Sequence, residues 1–317
     1  MALYLTEADV RQLLTMDLAL AAVEAAHRAH ALGRAIDIPR QRTRVPTASL
    51  HILQGALLDE SVMGYKAYTA SREGARFLVH LFDTASGKLQ AVIEADSLGM
   101  MRTGAAGGIA AKHLARQESS VVGLIGAGWQ AQSQLEALCK VRPVRQVKLF
   151  SRNQEKCRLA SANFSRRFNV EVVPVESAEM AVRGSDIVVT ITTASSPVLQ
   201  GEWLAPGMHI NAAGSNALIR RELDEKAVAR AALVCVDSRA TALREAGDLL
   251  PALEKGRLHE GQLVELGEII VGIRPGRVDG QAVTLFESQG MAIQDLAVAR
   301  RLVELAQQRG LGKQWPS

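Results

Sequence analysis

The stretch Val121–Gln132, "VVGLIGAGWQAQ", decides the fold of the chain around it. A near-continuous apolar run, typical of a strand buried on both faces, leads into Gly126-x-Gly128-x-x-Ala131. This spacing is typical of a dinucleotide-binding turn. The first glycine permits the tight bend, the second lets a pyrophosphate approach the backbone, and the third small residue packs the next helix on the strand. The stretch therefore predicts a site for a nicotinamide-type cofactor.

Strands and helices alternate downstream of this turn, which predicts βαβ units in a doubly wound parallel sheet of α/β class. We expect this Rossmann domain over residues 116–287. The predicted helices lie at about 129–141, at 153–168, from Ser177 and from about Arg221. The predicted strands are 120–125, 144–150, 170–175, 186–192, 209–213 and 232–237.

The remaining chain follows a different pattern. Thr6 and Asp9 have the spacing of a helix-capping box, and Asp17 is a candidate cap for a second helix that ends at Gly33. Short runs between about residues 38 and 95, several of them alternating, predict a largely antiparallel or mixed sheet. The last helix is amphipathic and is expected to fold back on this part. We therefore predict a smaller α+β domain from residues 1–115 and 288–317.

Composition excludes several classes of protein. The chain has 317 residues, 48% of them hydrophobic, and a net charge of +4 without a dense basic tail, so we expect no nucleic-acid partner. No apolar run approaches the ~18 residues of a membrane span, and no signal peptide is visible. Three unpaired cysteines fit a reducing cytoplasm. The histidines show no metal-ligand spacing, and His27 and His30 are interpreted as a solvated helix face.

The strand after the glycine turn ends in Ser151-Arg152-Asn153, where an NAD site would carry Asp or Glu for the ribose hydroxyl. The arginine can pair with a phosphate, and the serine and asparagine can hydrogen-bond it. We therefore predict a preference for NADP(H), with NAD(H) as an alternative. The other interpretation is that Arg152 is a surface residue and Ser151 caps the next helix.

Six segments occur together in the chain, in the order "GYKAYTAS", "LFDTASGKLQAVIEAD", "MRTGAAGGIAAKHLA", "GLIGAGWQAQ", "HINAAGSN" and "SQGMAIQDLAVA". Together they resemble the ornithine cyclodeaminase/mu-crystallin family. This resemblance implies a substrate and dimerisation domain joined to a Rossmann domain, and a homodimer. Family activities include ornithine cyclodeamination, alanine dehydrogenation and reduction of cyclic ketimines.

The resemblance also implies roles for three basic residues, Arg42, Lys66 and Arg102. In the family such residues hold the substrate carboxylate or lie beside the nicotinamide. A guanidinium binds a carboxylate in bidentate fashion, and a lysine adds a compact charge and a proton source. Arg40 and Arg44 share the strand face of Arg42, and either could be the matching residue instead.

The sequence departs from the family pattern at Asn216. Counting back from "ELD", ornithine cyclodeaminases and archaeal alanine dehydrogenases carry Asp there, which resembles a general base or acid. Asparagine cannot exchange a proton near neutral pH, but it can still position a substrate. Arg220 occupies the place of a substrate-binding lysine of the cyclodeaminases, and a solvated position is the alternative.

Four further residues match family positions at the cofactor. Trp129 and Gln130 correspond to contacts at the pyrophosphate, and Thr192 and Ser288 to positions near the nicotinamide. For the last two, ordinary backbone capping is the other interpretation.

Together these observations favour an NADPH-dependent reductase of a small anionic cyclic imino acid. Δ1-Pyrroline-2-carboxylate, giving L-proline, is the first expected substrate, and Δ1-piperideine-2-carboxylate, giving L-pipecolate, is the second. The alternatives are an ornithine cyclodeaminase, an alanine-type amino acid dehydrogenase and a non-catalytic crystallin-like protein that binds NADPH.

Overall fold

A computed structural model gives the fold of residues 2–315. The chain divides into two compact units. The first unit combines Met1–Arg102 with Gly290–Ser317, and the second is Thr103–Gln289.

The first unit is built on a sheet that has seven strands within residues 2–315. Strands β2 to β6 form an antiparallel meander, β1 pairs parallel with β6, and β15 pairs antiparallel with β1, in the order β15-β1-β6-β5-β4-β3-β2. The predicted mixed sheet is therefore confirmed. The strands are β1 (Leu3–Leu5), β2 (Ala35–Val45), β3 (Ala48–Leu57), β4 (Val62–Ser71), β5 (Gly74–Asp83), β6 (Leu89–Glu94) and β15 (Lys313–Gln314).

Three helices lie wholly within the described part of this unit: α1 (Glu7–Leu13), α2 (Met16–Ala31) and α11 (Ala292–Arg309). Thr6 and Asp9 form the predicted capping box of α1. The prediction for α2 was wrong by two residues, because Thr15 accepts from the N–H of Leu18 and Asp17 lies in the first turn. A hydroxyl just before the apolar run competes for the cap, and local sequence does not rank the two.

Helix α11 packs on one face of the sheet, on β3 and β4, and against α2. Two glycines allow this close approach. An added Cβ at Gly55 would lie 3.1 Å from the Ile293 side chain, and one at Gly64 would lie 3.1 Å from Leu296. The last helix therefore folds back on the first sheet, as predicted.

The second unit holds a sheet with eight strands among the described residues, all of them parallel. Their order, β13-β12-β14-β11-β10-β7-β8-β9, confirms the doubly wound Rossmann arrangement. The strands are β7 (Val121–Ile125), β8 (Gln146–Phe150), β9 (Glu171–Pro174), β10 (Ile187–Thr190), β11 (His209–Ala212), β12 (Leu233–Val236), β13 (Leu263–Glu265) and β14 (Thr284–Glu287).

Both faces of this sheet are covered by apolar side chains. Along β10, Val188 belongs to one buried cluster while Ile187 and Val189 belong to the other, on the opposite face. This explains why its strands are continuous apolar runs rather than alternating ones. The strand order reverses between β7 and β10, the point at which open α/β sheets bind ligands.

The helix predicted from about Arg221 begins later, at Glu225, because Asp224 caps it through the N–H of Ala227. Two short 3₁₀ helices are Gly201–Trp203 and Glu260–Gln262. The α-helices after β6 that precede α11 are α3 (Asp96–Leu114), α4 (Ala131–Val141), α5 (Gln154–Phe168), α6 (Ala178–Val182), α7 (Glu225–Arg230), α8 (Arg239–Glu245), α9 (Leu250–Glu254) and α10 (Leu266–Ile270). Among the helices within residues 2–315, none is both long and apolar enough to cross a membrane.

Candidate functional site

The turn between β7 and α4 has the geometry that its glycines predict. Gly126 adopts φ +117°, and a side chain there would collide with the carbonyl oxygen of Ile191. An added Cβ at Gly128 would meet only open space, so a ligand can approach the backbone at that point. Ala131 is fully buried where α4 begins. The turn therefore presents bare backbone and a helix N-terminus to a phosphate group.

A cavity of about 400 Å³ opens at this turn. It is lined by the turn, by residues 150–152 at the end of β8, and by residues 191–196 and 198 after β10. We call residues 191–198 the cofactor loop. The cavity brings together the predicted cofactor residues Gly126, Gly128, Ser151, Arg152 and Thr192.

The other predicted cofactor residues are placed differently, and none of those described lines the cavity. Trp129 is 58% exposed, and Gln130 directly precedes α4. The side-chain oxygen of Asn153 caps α5 by accepting from the N–H of Lys156 at 2.9 Å. The hydroxyl of Ser288 is buried and donates to Asp237 at 2.8 Å.

The cavity fits a nicotinamide dinucleotide by its chemistry. It combines an open backbone approach at Gly128, hydroxyl groups on the cofactor loop and the guanidinium of Arg152. At 151–153, where an NAD site would carry a carboxylate, this chain has none.

Thr192 is hydrogen-bonded to the buried carboxylate of Glu222, which was not among the site residues predicted from the sequence. Glu222 accepts from the N–H of Thr192 at 2.6 Å and from its hydroxyl at 2.7 Å. The same carboxylate accepts from the N–H of Gly214 at 2.8 Å. Burial raises the pKa of Glu222 to about 7, against the hydrogen bonds from Thr192, which lower it.

Asn216 and Arg220 lie on the segment 213–221, which follows β11 and which we call the Asn216 loop. Both residues are half-buried. The hydroxyl of Ser215 donates to the carbonyl of Arg220 at 3.1 Å, which closes the loop on itself.

In the first unit, Lys66 and Arg102 converge on one acidic residue. Lys66 lies on β4 and is 2% exposed, and its Nζ donates to Asp295 of α11 at 2.6 Å. Nε of Arg102 donates to the other carboxylate oxygen at 3.1 Å. Asp295 is fully buried, so one carboxylate holds two cations in fixed positions.

Arg102 is also positioned by hydrogen bonds that run through Gln294 to His27. Its Nη1 donates to Oε1 of Gln294 at 2.8 Å, and Nε2 of Gln294 lies 3.0 Å from Nε2 of His27. His27 is fully buried, so its interpretation as a solvated residue was wrong. The helix face that carries His27 packs against α11 rather than facing water.

The pKa of Lys66 is lowered to about 7. Burial is the main cause, and the positive charge of Arg102 adds to it, while Asp295 opposes both. A lysine in this setting can lose and regain its proton near neutral pH.

The three arginines of β2 differ in burial. Arg40 is buried, Arg42 is half-buried and Arg44 is exposed. The charge of Arg40 contributes to lowering the pKa of Lys66. Arg42 pairs in register with His51. Burial lowers the pKa of that histidine to about 4, and the charges of Arg42, Arg40 and Arg44 add to the effect. The structure therefore favours Arg40 as the partner of the Lys66 cluster.

A comparison with protein families matches residues 2–310 to the family described as "Ornithine cyclodeaminase/mu-crystallin family". The chain belongs to this family. A Δ1-pyrroline-2-carboxylate reductase of Bacillus cereus is 39% identical over 74% of the chain and 73% of the relative.

Two solved structures are similar to this chain over nearly its whole length. The Thermococcus litoralis Δ1-pyrroline-2-carboxylate reductase in complex with NADH and L-proline has a TM-score of 0.95 and 32% identity, and it covers 99% of this chain and 100% of its own. An archaeal alanine dehydrogenase dimer with bound NAD has a TM-score of 0.94 and 33% identity, with 99% of each chain covered.

Proposed function

We propose that the protein is an NADPH-dependent reductase of small cyclic imino acids, with Δ1-pyrroline-2-carboxylate as the first substrate and Δ1-piperideine-2-carboxylate as the second. The observation that carries the proposal is the buried cluster of Lys66, Asp295 and Arg102. Reduction of a preformed imine needs a cationic holder for the carboxylate and one proton, and this cluster supplies both. Relatives named as Δ1-pyrroline-2-carboxylate reductases support the substrate class.

Each residue has a separate task in this reaction. The guanidinium groups of Arg102 and Arg40 bind the substrate carboxylate and fix the ring, so most of the rate enhancement comes from orientation. Lys66 holds the proton for the imine nitrogen, and Asp295 keeps its ammonium in place. Asn216 hydrogen-bonds the substrate without exchanging a proton.

The glycine turn and the cofactor loop would hold the cofactor, which when bound supplies a hydride to the imine carbon. Gly128 would admit the pyrophosphate, and Thr192 would hold the cofactor near its nicotinamide. We propose that Arg152 and Ser151 bind the 2′-phosphate of NADPH, supported by the lack of an acid at 151–153. The relatives with bound NADH or NAD support a nicotinamide cofactor without deciding the phosphate.

Asn216 separates this proposal from its two catalytic rivals. A cyclodeaminase or an open-chain amino acid dehydrogenase handles amine and water, which calls for a proton-exchanging group where this chain has an amide. The half-buried amide suits a substrate that arrives as a ring already containing its C=N bond.

We further propose a homodimer formed through the sheet face opposite α11. Tyr65, directly between Gly64 and Lys66, points to that face and stacks with His80 at 4.6 Å. The same face carries Met63 and Leu78, 38% and 37% exposed. An apolar, aromatic sheet face of this kind is typical of a subunit interface. The buried thiols of Cys157 and Cys235 further support a reducing cytoplasmic location.

A spectrophotometric assay tests the reaction. Purified protein is given each cyclic imine with NADPH and, in parallel, NADH, and oxidation of the cofactor is followed. Faster oxidation of NADPH with the five-membered imine is expected. Ammonia release from ornithine, or a requirement for added ammonia with a keto acid, would favour a rival, and NADPH binding without turnover of any imine would favour a ligand-binding protein.

A further inference from the structure

The fully buried carboxylate of Glu222 joins two segments that each carry a predicted site residue. On one side it binds Thr192 of the cofactor loop by two hydrogen bonds. On the other side it binds the N–H of Gly214, at the start of the Asn216 loop. All three hydrogen bonds are 2.8 Å or shorter and end on its two oxygens.

The backbone of Glu222 is fixed as firmly as its side chain. Its N–H and that of Leu223 both donate to Oδ1 of Asp248 at 2.6 Å. Its carbonyl accepts from the N–H groups of Val198 and Leu199, at 2.7 and 2.9 Å, where the cofactor loop ends. The carboxylate is therefore held in place by groups of the protein itself, and it fixes the separation of the two segments.

The protonation state of Glu222 determines whether its side chain keeps the cofactor loop and the Asn216 loop joined. We call this connection the Glu222 junction. Three donors point at its two oxygens, and an ionised carboxylate can accept from all of them. A protonated carboxyl carries a hydrogen on one oxygen. On the oxygen that faces Gly214 this hydrogen meets an N–H group, which cannot accept it, and on the oxygen that faces Thr192 it requires the hydroxyl to turn from donor to acceptor. In either case the remaining hydrogen bonds lose the negative charge that strengthens them, so the connection between the two segments weakens.

We propose that Glu222 is the positioning residue that fixes the cofactor loop against the Asn216 loop, and that it does so only as a carboxylate. Cofactor binding therefore requires its ionised form, and cofactor affinity falls in acid. The inference rests on the proposed function only through the nicotinamide site, and it needs no particular imine.

The surroundings of Glu222 place this switch near neutral pH. Burial raises its pKa to about 7, and the negative charge of Asp248 adds to this effect. Glu287 also faces the group. Its own pKa is raised well above the usual value by burial and by the negative charges of Asp248 and Glu222. The positive charge of Arg221 lowers the pKa of Asp248, against the effect of burial.

The affinity for NADH, measured by fluorescence titration between pH 5.5 and 9, tests the proposal. NADH is the probe because the 2′-phosphate of NADPH itself titrates near pH ~6. The dissociation constant of the wild-type protein is expected to rise by up to about tenfold from pH 8 to pH 6, as the linkage of binding to one proton requires. Glu222→Gln should bind about tenfold more weakly at pH 8 and show no pH dependence.

Two further variants make the assay specific. Glu225→Gln removes a partly exposed carboxylate three residues away, which pairs with Lys255, and should leave the NADH profile unchanged. Thr192→Val removes one hydrogen bond that lowers the pKa of Glu222, so the fall in affinity should move to higher pH. A role in folding alone would not shift the midpoint in this way.

Hydrogen exchange of the unloaded wild-type protein gives a second measurement if Glu222→Gln does not fold. Peptides covering 190–196 and 213–222 should lose protection below about pH 7, after correction for intrinsic exchange. A wild-type NADH affinity that does not change with pH, a fall that persists in Glu222→Gln, or no NADH binding at all overturns the proposal. The expected NADH profile without turnover of any imine overturns the proposed reaction alone.

Discussion

Lys66 lies in a place where a charged group is costly, and its partner determines what it can do. A buried ammonium without a counterion would give up its proton, whereas one paired with a carboxylate keeps it. Asp295 supplies that carboxylate, and Arg102 draws on the same group. The competition between burial and pairing leaves the pKa of Lys66 at about 7, which suits a residue that gives a proton and recovers it.

Replacing Lys66 tests this role. In the reductive direction the protonated form is the active one, so kcat/KM of the wild-type enzyme should decrease as the pH rises through about 7. Lys66→Arg keeps the positive charge at all accessible pH values. It should abolish the decrease and lower the maximum rate by about 10²–10⁴-fold, the usual contribution of a general acid.

The control is Lys148→Arg, which changes a lysine of β8 that donates to the carbonyl of Arg183. Its pH–rate profile should match that of the wild type. A decrease near pH 7 that survives in Lys66→Arg would assign the proton to another group.

The proposed preference for NADPH depends on Arg152. Arg152→Asp should weaken NADPH binding by about 1.5–3 kcal/mol, the scale of hydrogen bonds to a charged group, because it replaces a phosphate partner with a like charge. NADH lacks that phosphate and should bind as before or better. Fluorescence titrations of both cofactors measure the difference, and equal changes for the two would show that Arg152 does not bind the phosphate.

At the scale of elements, the two glycines of the turn between β7 and α4 are expected to have different roles: Gly126 in folding and Gly128 in cofactor binding. Gly126→Ala places a side chain at φ +117° and against Ile191, so it should reduce the free energy of unfolding by about 1–3 kcal/mol and abolish cofactor binding. The added Cβ of Gly128→Ala has no protein atom within 4 Å, so this variant should keep the stability of the wild type and bind the cofactor more weakly. Urea unfolding and NADPH titration of both variants measure this contrast, and a stability loss in Gly128→Ala would contradict it.

Elements of strong local pattern could be predicted from the sequence, and weak ones could not. Strand β7 is a long apolar run followed by a glycine turn, and its position is confirmed. Strand β14 has only four residues and no glycine motif of this kind at its end. It lies between β11 and β12 in the sheet. Its place comes from hydrogen bonds to strands distant in sequence, which a local window does not contain.

At the scale of the whole molecule, the aromatic face of the first sheet predicts assembly. Met63→Glu together with Leu78→Glu places two charges on that face and should convert a dimer to a monomer in sedimentation velocity. Val278→Glu changes a residue that is 78% exposed in the second unit, and it should leave the assembly intact. Dimers that persist in the double variant would place the interface elsewhere.

The sequence by itself determined the parallel sheet, the glycine turn and the family, and it singled out Lys66 and Arg102 as candidate site residues. These features depend on periodicity, on local turn geometry and on residues that stand in recognisable segments. Only the tertiary structure decided that Asp295 is the partner of Lys66, 229 residues away, that Arg40 is the buried arginine of β2, and that Glu222 supports Thr192. The physical reason is that burial and pairing are properties of packed surroundings. A charged side chain acquires its pKa and its partner only when distant segments meet and water is excluded.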